Sequence, residues 1–384
     1  MIKKRPLLWV VFFLIAYILV VLTFISSSKI VPEEYSQKSL LIVDYWESHS
    51  LIQSGFIPSF IQDNKVMPYL SHPPLAYYFL YGFNKLFGFK SYYVLNGLLV
   101  AISAFFVYLT ICLLTLKKAK SEPSFYAWLG MIIYLSSYPI LRFQFFNFHP
   151  DIFVLPFLII SQYLFLKLLM KERYRSVKYL SLIGLFLALL SYSSWFGAVF
   201  NFIIILIAII NLRKGYKLVS YIILASTITL TLTMLIYGQY SFYGGWKNVI
   251  FYFKDAYWRE SPFYGHLRQT SIQIFIQIIK SLGILLFALL TLFILSVIAK
   301  KRKFLFTKNG YRYIVLSISP VFIYSILLIH YFQNTFVSLY FTAPLAISIV
   351  IWLEKLFRFE NTNYTVLKIV GLIVLSNLSL FLLI

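Results

Sequence analysis

The stretch YVLNGLLVAISAFFVYLTICLLTL, residues 93–116, holds no charged side chain and is followed at once by Lys117, Lys118 and Lys120. Its apolar positions run on continuously. A helix needs ~20 such residues to cross the ~30 Å hydrocarbon core of a bilayer, and no water is present there to satisfy free backbone N–H and C=O groups. A barrel strand would alternate lipid-facing and lumen-facing positions, so this run reads as a transmembrane helix. Runs of the same kind recur at residues 7–23, 152–169, 219–237, 282–299, 313–329, 341–353 and 366–384. Residues 179–212 are too long for one crossing and tight for two. A single crossing would place Arg213, Lys214 and Lys217 outside, so two short helices with a turn at 191–197 are expected. The sequence therefore predicts an all-α polytopic membrane protein of about eleven spans, a single transmembrane domain over residues 1–384 with no separate soluble domain.

Composition agrees. Of 384 residues, 61% are hydrophobic and only 12% charged, where a soluble domain carries about 25%. The net charge of +22 could suggest nucleic acid, but its distribution excludes that reading. The basic residues sit in short clusters between spans: Lys117, Lys118 and Lys120; Lys171, Arg173 and Arg175; Arg213, Lys214 and Lys217; and residues 300–303. Alternate crossings put all of them on one side, which the positive-inside rule makes the cytoplasm, together with the N-terminus. The first run follows Lys3, Lys4 and Arg5 but has no A-x-A cleavage pattern, so it is expected to be retained. Cys112, the single cysteine, falls inside a span and defines no disulfide framework.

Orientation then sorts the polar residues. The outer segments are 26–90, 142–151, 192–195, 238–268 and 330–334. All five histidines (His49, His72, His149, His266 and His330) lie in them or at their edges. So do eight of the twelve acids: Glu33, Glu34, Asp44, Glu47, Asp63, Asp151, Asp255 and Glu260. Avoidance of lipid explains why they are not in spans, but not why they favour one face. Ionisable groups gathered beside a membrane cavity point to a site there.

The first outer segment contains Asp44-Tyr45-Trp46-Glu47-Ser48-His49 and later His72-Pro73-Pro74-Leu75-Ala76-Tyr77-Tyr78, ending in Leu86-Phe87-Gly88. Residues 75–87 are aromatic and apolar but short for a span. They suit a helix lying in the interface, started at Pro73-Pro74, where a missing N–H costs nothing. The H-P-P-L-x-Y-Y segment, the short helix and L-F-G resemble the first extracytoplasmic loop of GT-C glycosyltransferases, closest to the protein O-mannosyltransferase and lipid A aminoarabinose transferase superfamily. Asn147-Phe148-His149-Pro150-Asp151 resembles that family's second acidic motif, and the turn at 191–197 stands where relatives carry a short polar turn. The resemblance runs in order through the N-terminal half and is looser beyond it.

What the resemblance implies is an inverting transferase, resident in the bacterial plasma membrane, with an extracytoplasmic site. Its donor is a polyprenyl-phosphate-linked sugar, and its acceptor is a lipid, glycan or protein. Its partners are that donor, membrane lipids and an unidentified acceptor, with no nucleic acid. The acid that relatives carry after the first span matches Asp44. Relatives have adjacent Asp-Glu there; here Glu47 follows Asp44 at a spacing that puts both on one helix face.

The chemistry needs a general base within ~2.6–3.2 Å of the acceptor proton and cations or donors facing the departing phosphate. Asp44, Glu47 and Asp151 are the candidate catalytic acids. His72, His149, Arg259, His266, Arg268 and Lys280 are the candidate substrate-binding residues, His72 because relatives place a basic residue before the Pro-Pro pair near the carrier phosphate. Bland readings stand beside these. Asp44 is a loop acid, and Asp151 a helix-start acid. His149 is a loop histidine. Arg259 and Arg268 are headgroup contacts, and Lys280 is a snorkelling side chain. The aromatic run 242–258 is an interfacial belt.

No metal-ligand spacing is present: His49, Asp44 and Glu47 are close in sequence without an H-E-x-x-H pattern. No cofactor is expected, with a divalent metal left open. The absence of a nucleotide fingerprint favours a lipid-linked donor. Competing readings are a transporter or flippase for such a lipid, which needs ionisable groups at mid-membrane, a glycan polymerase or ligase, and a non-catalytic assembly protein.

Overall fold

The computed structural model of the chain describes residues 4–27, 34–62, 65–69, 72–88, 91–115, 123–170, 176–210, 216–260, 267–298, 308–327, 338–357 and 363–383. The helices are α1 (Lys4–Ser27), α2 (Glu34–His49), α3 (Leu75–Phe87), α4 (Ser91–Thr115), α5 (Pro123–Ser136), α6 (Pro150–Phe153), α7 (Leu155–Met170), α8 (Val177–Ser193), α9 (Trp195–Ile210), α10 (Tyr216–Gly244), α11 (Trp246–Glu260), α12 (Leu267–Ile298), α13 (Lys308–Leu327), α14 (Leu339–Phe357) and α15 (Asn363–Leu383). A two-stranded antiparallel hairpin, β1 (Ser59–Gln62) and β2 (Lys65–Pro68), pairs Ser59 with Pro68 and Gln62 with Lys65.

The chain is an all-α polytopic membrane protein. Among the described residues, six helical segments are long and apolar enough to span: Tyr92–Thr115, Pro150–Met170, Leu218–Phe242, Ile272–Leu295, Asn309–Leu327 and Leu339–Phe357. Five shorter apolar helices accompany them, at Leu8–Val20, Phe125–Ser136, Val177–Ser193, Trp195–Ile210 and Thr365–Leu380. Within the stretch expected to cross twice, the described residues are two helices, Val177–Ser193 and Trp195–Ile210, turning at Ser194. The basic clusters at 117–120, 171–175, 213–214 and 300–303 lie outside the described residues.

The α6–α7 and α14 segments form the centre, 83% and 89% buried over their apolar windows, while the windows of α10 and α12 are only 17% and 28% buried. The bare faces of those outer helices carry Leu230, Met234, Leu235, Phe287, Leu290 and Ile294. In water each exposed side chain of this size would forgo roughly 1.5–3 kcal/mol of burial; in acyl chains it forgoes nothing.

Over one end of the bundle lies α3. Ala76, Tyr77 and Leu80 face inward, while Phe79, Leu86 and Phe87 stay exposed, the pattern of an interfacial helix. Pro74 precedes its first turn, and Gly88, at φ 78°, ends it by donating its N–H to Asn84 O at 2.8 Å. α2 packs beside it. Trp46 is fully buried, donates to Ile57 O at 3.0 Å and stacks on Tyr78 at 5.5 Å. Asn84 Nδ2 donates to Glu47 Oε1 at 2.8 Å.

Where the chain re-enters the bundle, the helix ladder breaks. α5 gives way to a wide turn at Ile140–Gln144, then to residues 145–149 in irregular backbone. Buried carbonyls left there cost ~1–3 kcal/mol each if unmet. Asn96 of α4 meets two, donating to Phe145 O at 3.2 Å and Asn147 O at 2.9 Å.

Candidate functional site

The site forms at the end of the bundle covered by α2 and α3. At its base is the short helix α6. His149 caps it in extended backbone (φ −149°, ψ 147°), its Nδ1 accepting from Asp151 N at 3.3 Å, and Pro150 opens the helical turn. Asp151 therefore does occupy a first-turn position, where an acid suits free N–H groups. Its carboxylate nonetheless reaches further. Oδ1 accepts a short hydrogen bond from Ser194 Oγ. The Tyr340 hydroxyl, at the head of α14, faces the same carboxylate, and Oδ2 lies 3.8 Å from His149 Nδ1.

Ser194 is the pivot of the α8–α9 turn. It is extended (φ −155°, ψ 150°), and its Oγ accepts from Phe196 N at 3.2 Å while donating to Asp151. The turn is tight enough to require glycine at 197, where a Cβ would lie 2.6 Å from the Leu190 carbonyl carbon and 2.7 Å from Ser191 Cα.

His72 arrives from the opposite direction, just before α3. It is 8% exposed, and its ring meets that of His149 edge-on at 4.7 Å. Its carbonyl accepts from Tyr240 Oη of α10 at 2.7 Å. Its Nδ1 is buried with no hydrogen-bond partner. Donor atoms of His72, His149 and Asp151 lie within 4.8 Å of one another, the one such group of histidines and acids among the described residues. Burial holds the His72 pKa below its usual value, against the opposing pull of Asp151. Burial, with His72 adding, holds that of His149 well below. Both rings are therefore neutral near pH 7 and can present a lone pair.

Aromatic side chains wall the approach. Tyr77 is fully buried, and its phenol is pushed well up by burial, then by Tyr69 and Tyr240. Gln239 Nε2 donates to Phe56 O at 3.0 Å and Gly55 O at 3.2 Å, tying α10 to the first outer segment.

The head of α2 docks directly on the turn before α6. Ser36 Oγ accepts from Phe148 N at 2.8 Å and donates to Asn147 Oδ1 at 3.3 Å. Ser39 Oγ donates to Phe148 O at 3.4 Å. Asp44 and Glu47 lie further along α2 and are exposed. Partial desolvation, with Glu47 adding, raises the Asp44 pKa.

Of the candidate residues, His72, His149 and Asp151 are thus brought together, and Asp44 and Glu47 are not part of that cluster. Lys280 is exposed midway along α12, on the face that carries Ile276 and Phe287. Arg259 lies near the end of α11 and Arg268 near the start of α12; His266 and His330 lie outside the described residues. Two features were passed over in the sequence. Ser194 and Tyr340 carry no motif, and only the fold points them at Asp151. Glu33 and Glu34 do carry a signal: they are adjacent acids directly after the first span, and Glu34 is the first residue of α2. Glu33 lies outside the described residues.

The architecture and this one-ended polar cluster define a polytopic membrane protein with a functional face. Residues 71–237 match the model of the family described as dolichyl-phosphate-mannose-protein mannosyltransferase. Over that stretch, less than half of the chain, the protein is similar to a family of membrane mannosyltransferases. The match begins at the residue before His72, takes in the whole cluster except Tyr340, and leaves Asp44, Glu47 and the acid pair outside. No curated protein matches the chain.

Proposed function

We propose that the protein transfers a sugar from a polyprenyl-phosphate carrier to a hydroxyl or amine acceptor on the extracytoplasmic face, with inversion at the anomeric carbon. The observation that supports this most is the convergence of separate outer segments on buried His72, His149 and Asp151, within the stretch that matches the family. In the reaction the acceptor attacks the anomeric carbon as the sugar–phosphate bond breaks. A carboxylate takes the acceptor proton, and donors meet the charge left on phosphate. His72 and His149 are proposed to face the phosphate. Arg259, His266 and Arg268 remain the cations proposed to meet it from the fourth outer segment.

The base is proposed from the first outer segment. The docking of the first turns of α2 on residues 147–148 favours the pair Glu33-Glu34, of which Glu34 opens α2, over Asp44, which lies five residues beyond Ser39 and faces solvent. Asp151, with Ser194 on its carboxylate, is proposed to hold the site together rather than to take the proton.

The test is turnover of a lipid-linked sugar by purified protein in nanodiscs. Release of polyprenyl phosphate coupled to acceptor glycosylation supports the reading. Movement of intact lipid-linked sugar between leaflets, without bond cleavage, would instead establish the flippase.

A further inference from the structure

Two segments far apart in sequence deliver His72 and the His149–Asp151 pair to one buried point, and their ligand atoms fall within 4.8 Å of one another. Other polar groups in this region are matched with care. Ser36 both donates and accepts, Asn96 serves two carbonyls, and Ser194 serves Asp151 and Phe196 N. His72 Nδ1, like Asn96 Oδ1 and Gln144 Nε2, is buried with no partner, and of these residues only His72 belongs to a group of possible metal ligands. An unpaired polar atom in such a place is costly, and the position of His72 beside a second imidazole and a carboxylate says what would satisfy it.

We propose that His72, His149 and Asp151 bind one divalent transition-metal ion of the zinc type. The donor set is two imidazole nitrogens and one carboxylate oxygen, which suits zinc or cobalt better than magnesium or calcium, whose sites are built from oxygen. A tetrahedral ion with ~2.1 Å bonds needs ligand atoms ~3.4 Å apart. His149 Nδ1 and Asp151 Oδ2 are 3.8 Å apart, so closure through that nitrogen exchanges its hydrogen bond from Asp151 N for the ion and asks for small ring movements. Ser194 is the outer-shell partner that orients the carboxylate. Tyr240 fixes the His72 backbone from α10. Three protein ligands leave the fourth position to water or a substrate oxygen. Metal binding does not depend on which sugar or acceptor the protein uses, so it is tested apart from turnover.

The experiment uses tag-free, full-length protein in nanodiscs, stripped with chelator, reloaded with Zn²⁺ or Co²⁺ and freed of excess by gel filtration. Wild type is expected to retain about one ion per chain, to show d–d absorption with Co²⁺, and to melt at a higher temperature when loaded. His72→Ala and His149→Ala should lose the retained ion. Either variant could unfold, so Ser194→Ala is the second measurement. It keeps all three ligands and should weaken Zn²⁺ affinity by about 10–100-fold. If wild type retains no ion, the three groups share only hydrogen bonds and a proton, and the proposal is overturned. Retention at the wild-type level by folded His72→Ala or His149→Ala overturns it equally, because the ion then sits elsewhere.

Discussion

Glu33 and Glu34 stand three and two residues before Ser36, the side chain that anchors the first outer segment to the turn before α6. A general base contributes ~10²–10⁴-fold to rate. The Gln variant at whichever of the two carries the base should lower turnover by about that factor with donor binding retained, measured as product formed against bound lipid-linked sugar. Asp44→Asn should cost less than tenfold on the same scale. A large loss in Asp44→Asn with both Gln variants near wild type would return the base to the middle of α2. The two positions illustrate what a sequence can and cannot settle. Adjacency of two acids after the first span was visible in the letters. The weight given to Asp44 came from its place in the first outer segment, ahead of His72-Pro73-Pro74, and from the resemblance, and neither tells a docked helix head from an exposed flank. His72, His149 and Asp151 were each legible as polar residues of the outer segments, but their meeting was not. Spacing of the kind that flags a metal site requires ligands on one element, and here they come from two outer segments that the fold brings together.

At the level of elements, the α5–α6 connection and the α8–α9 turn hold the cluster's geometry. Asn96→Leu removes both donors to the Phe145 and Asn147 carbonyls. Each buried acceptor left unmet costs about 1–3 kcal/mol, so the variant should melt clearly lower than wild type in the same detergent. If its melting temperature is unchanged, water or another side chain serves those carbonyls. Gly197→Ala acts from the other side. Its Cβ would press on backbone at Leu190 and Ser191, and backbone cannot yield as a side-chain tip does. Strain of this kind costs ~1–3 kcal/mol, and relief would separate α8 from α9 and draw Ser194 off Asp151. Lowered thermal stability together with reduced turnover is expected; normal turnover would show that the turn can widen without disturbing Asp151. The interfacial helix at 75–87 and the paired helices over 179–212 were both readable from length, proline, glycine and flanking charge. The wide turn at Ile140–Gln144 was not, because the sequence ILRFQ carries no residue that forbids an α-helix. What permits the break is Asn96, in a different helix.

For the whole molecule, orientation links the lipid to the chemistry. Asn96 near the start of α4 and Asp151 at the start of the α6–α7 segment both lie at the site end. At 1.5 Å per residue, Thr115 and Met170 are then roughly 28 Å away, a bilayer core's thickness from it. The basic clusters at 117–120 and 171–175 follow those far ends in sequence. If the clusters are cytoplasmic, as their charge argues, the histidine–aspartate cluster faces outward. Single cysteines introduced in a Cys112→Ser background test this in intact cells. Cys112 itself is buried, so its removal costs little labelling information. Ser48→Cys and Ser261→Cys should react with a membrane-impermeant maleimide added outside, while Ser121→Cys and Thr307→Cys should react only after the membrane is opened. The opposite pattern would reverse every span at once, because the helices alternate without exception in the expected topology. The cluster would then face the cytoplasm, where nucleotide-activated sugars are available, and the case for a lipid-linked donor drawn from sidedness would fall even with the family match intact.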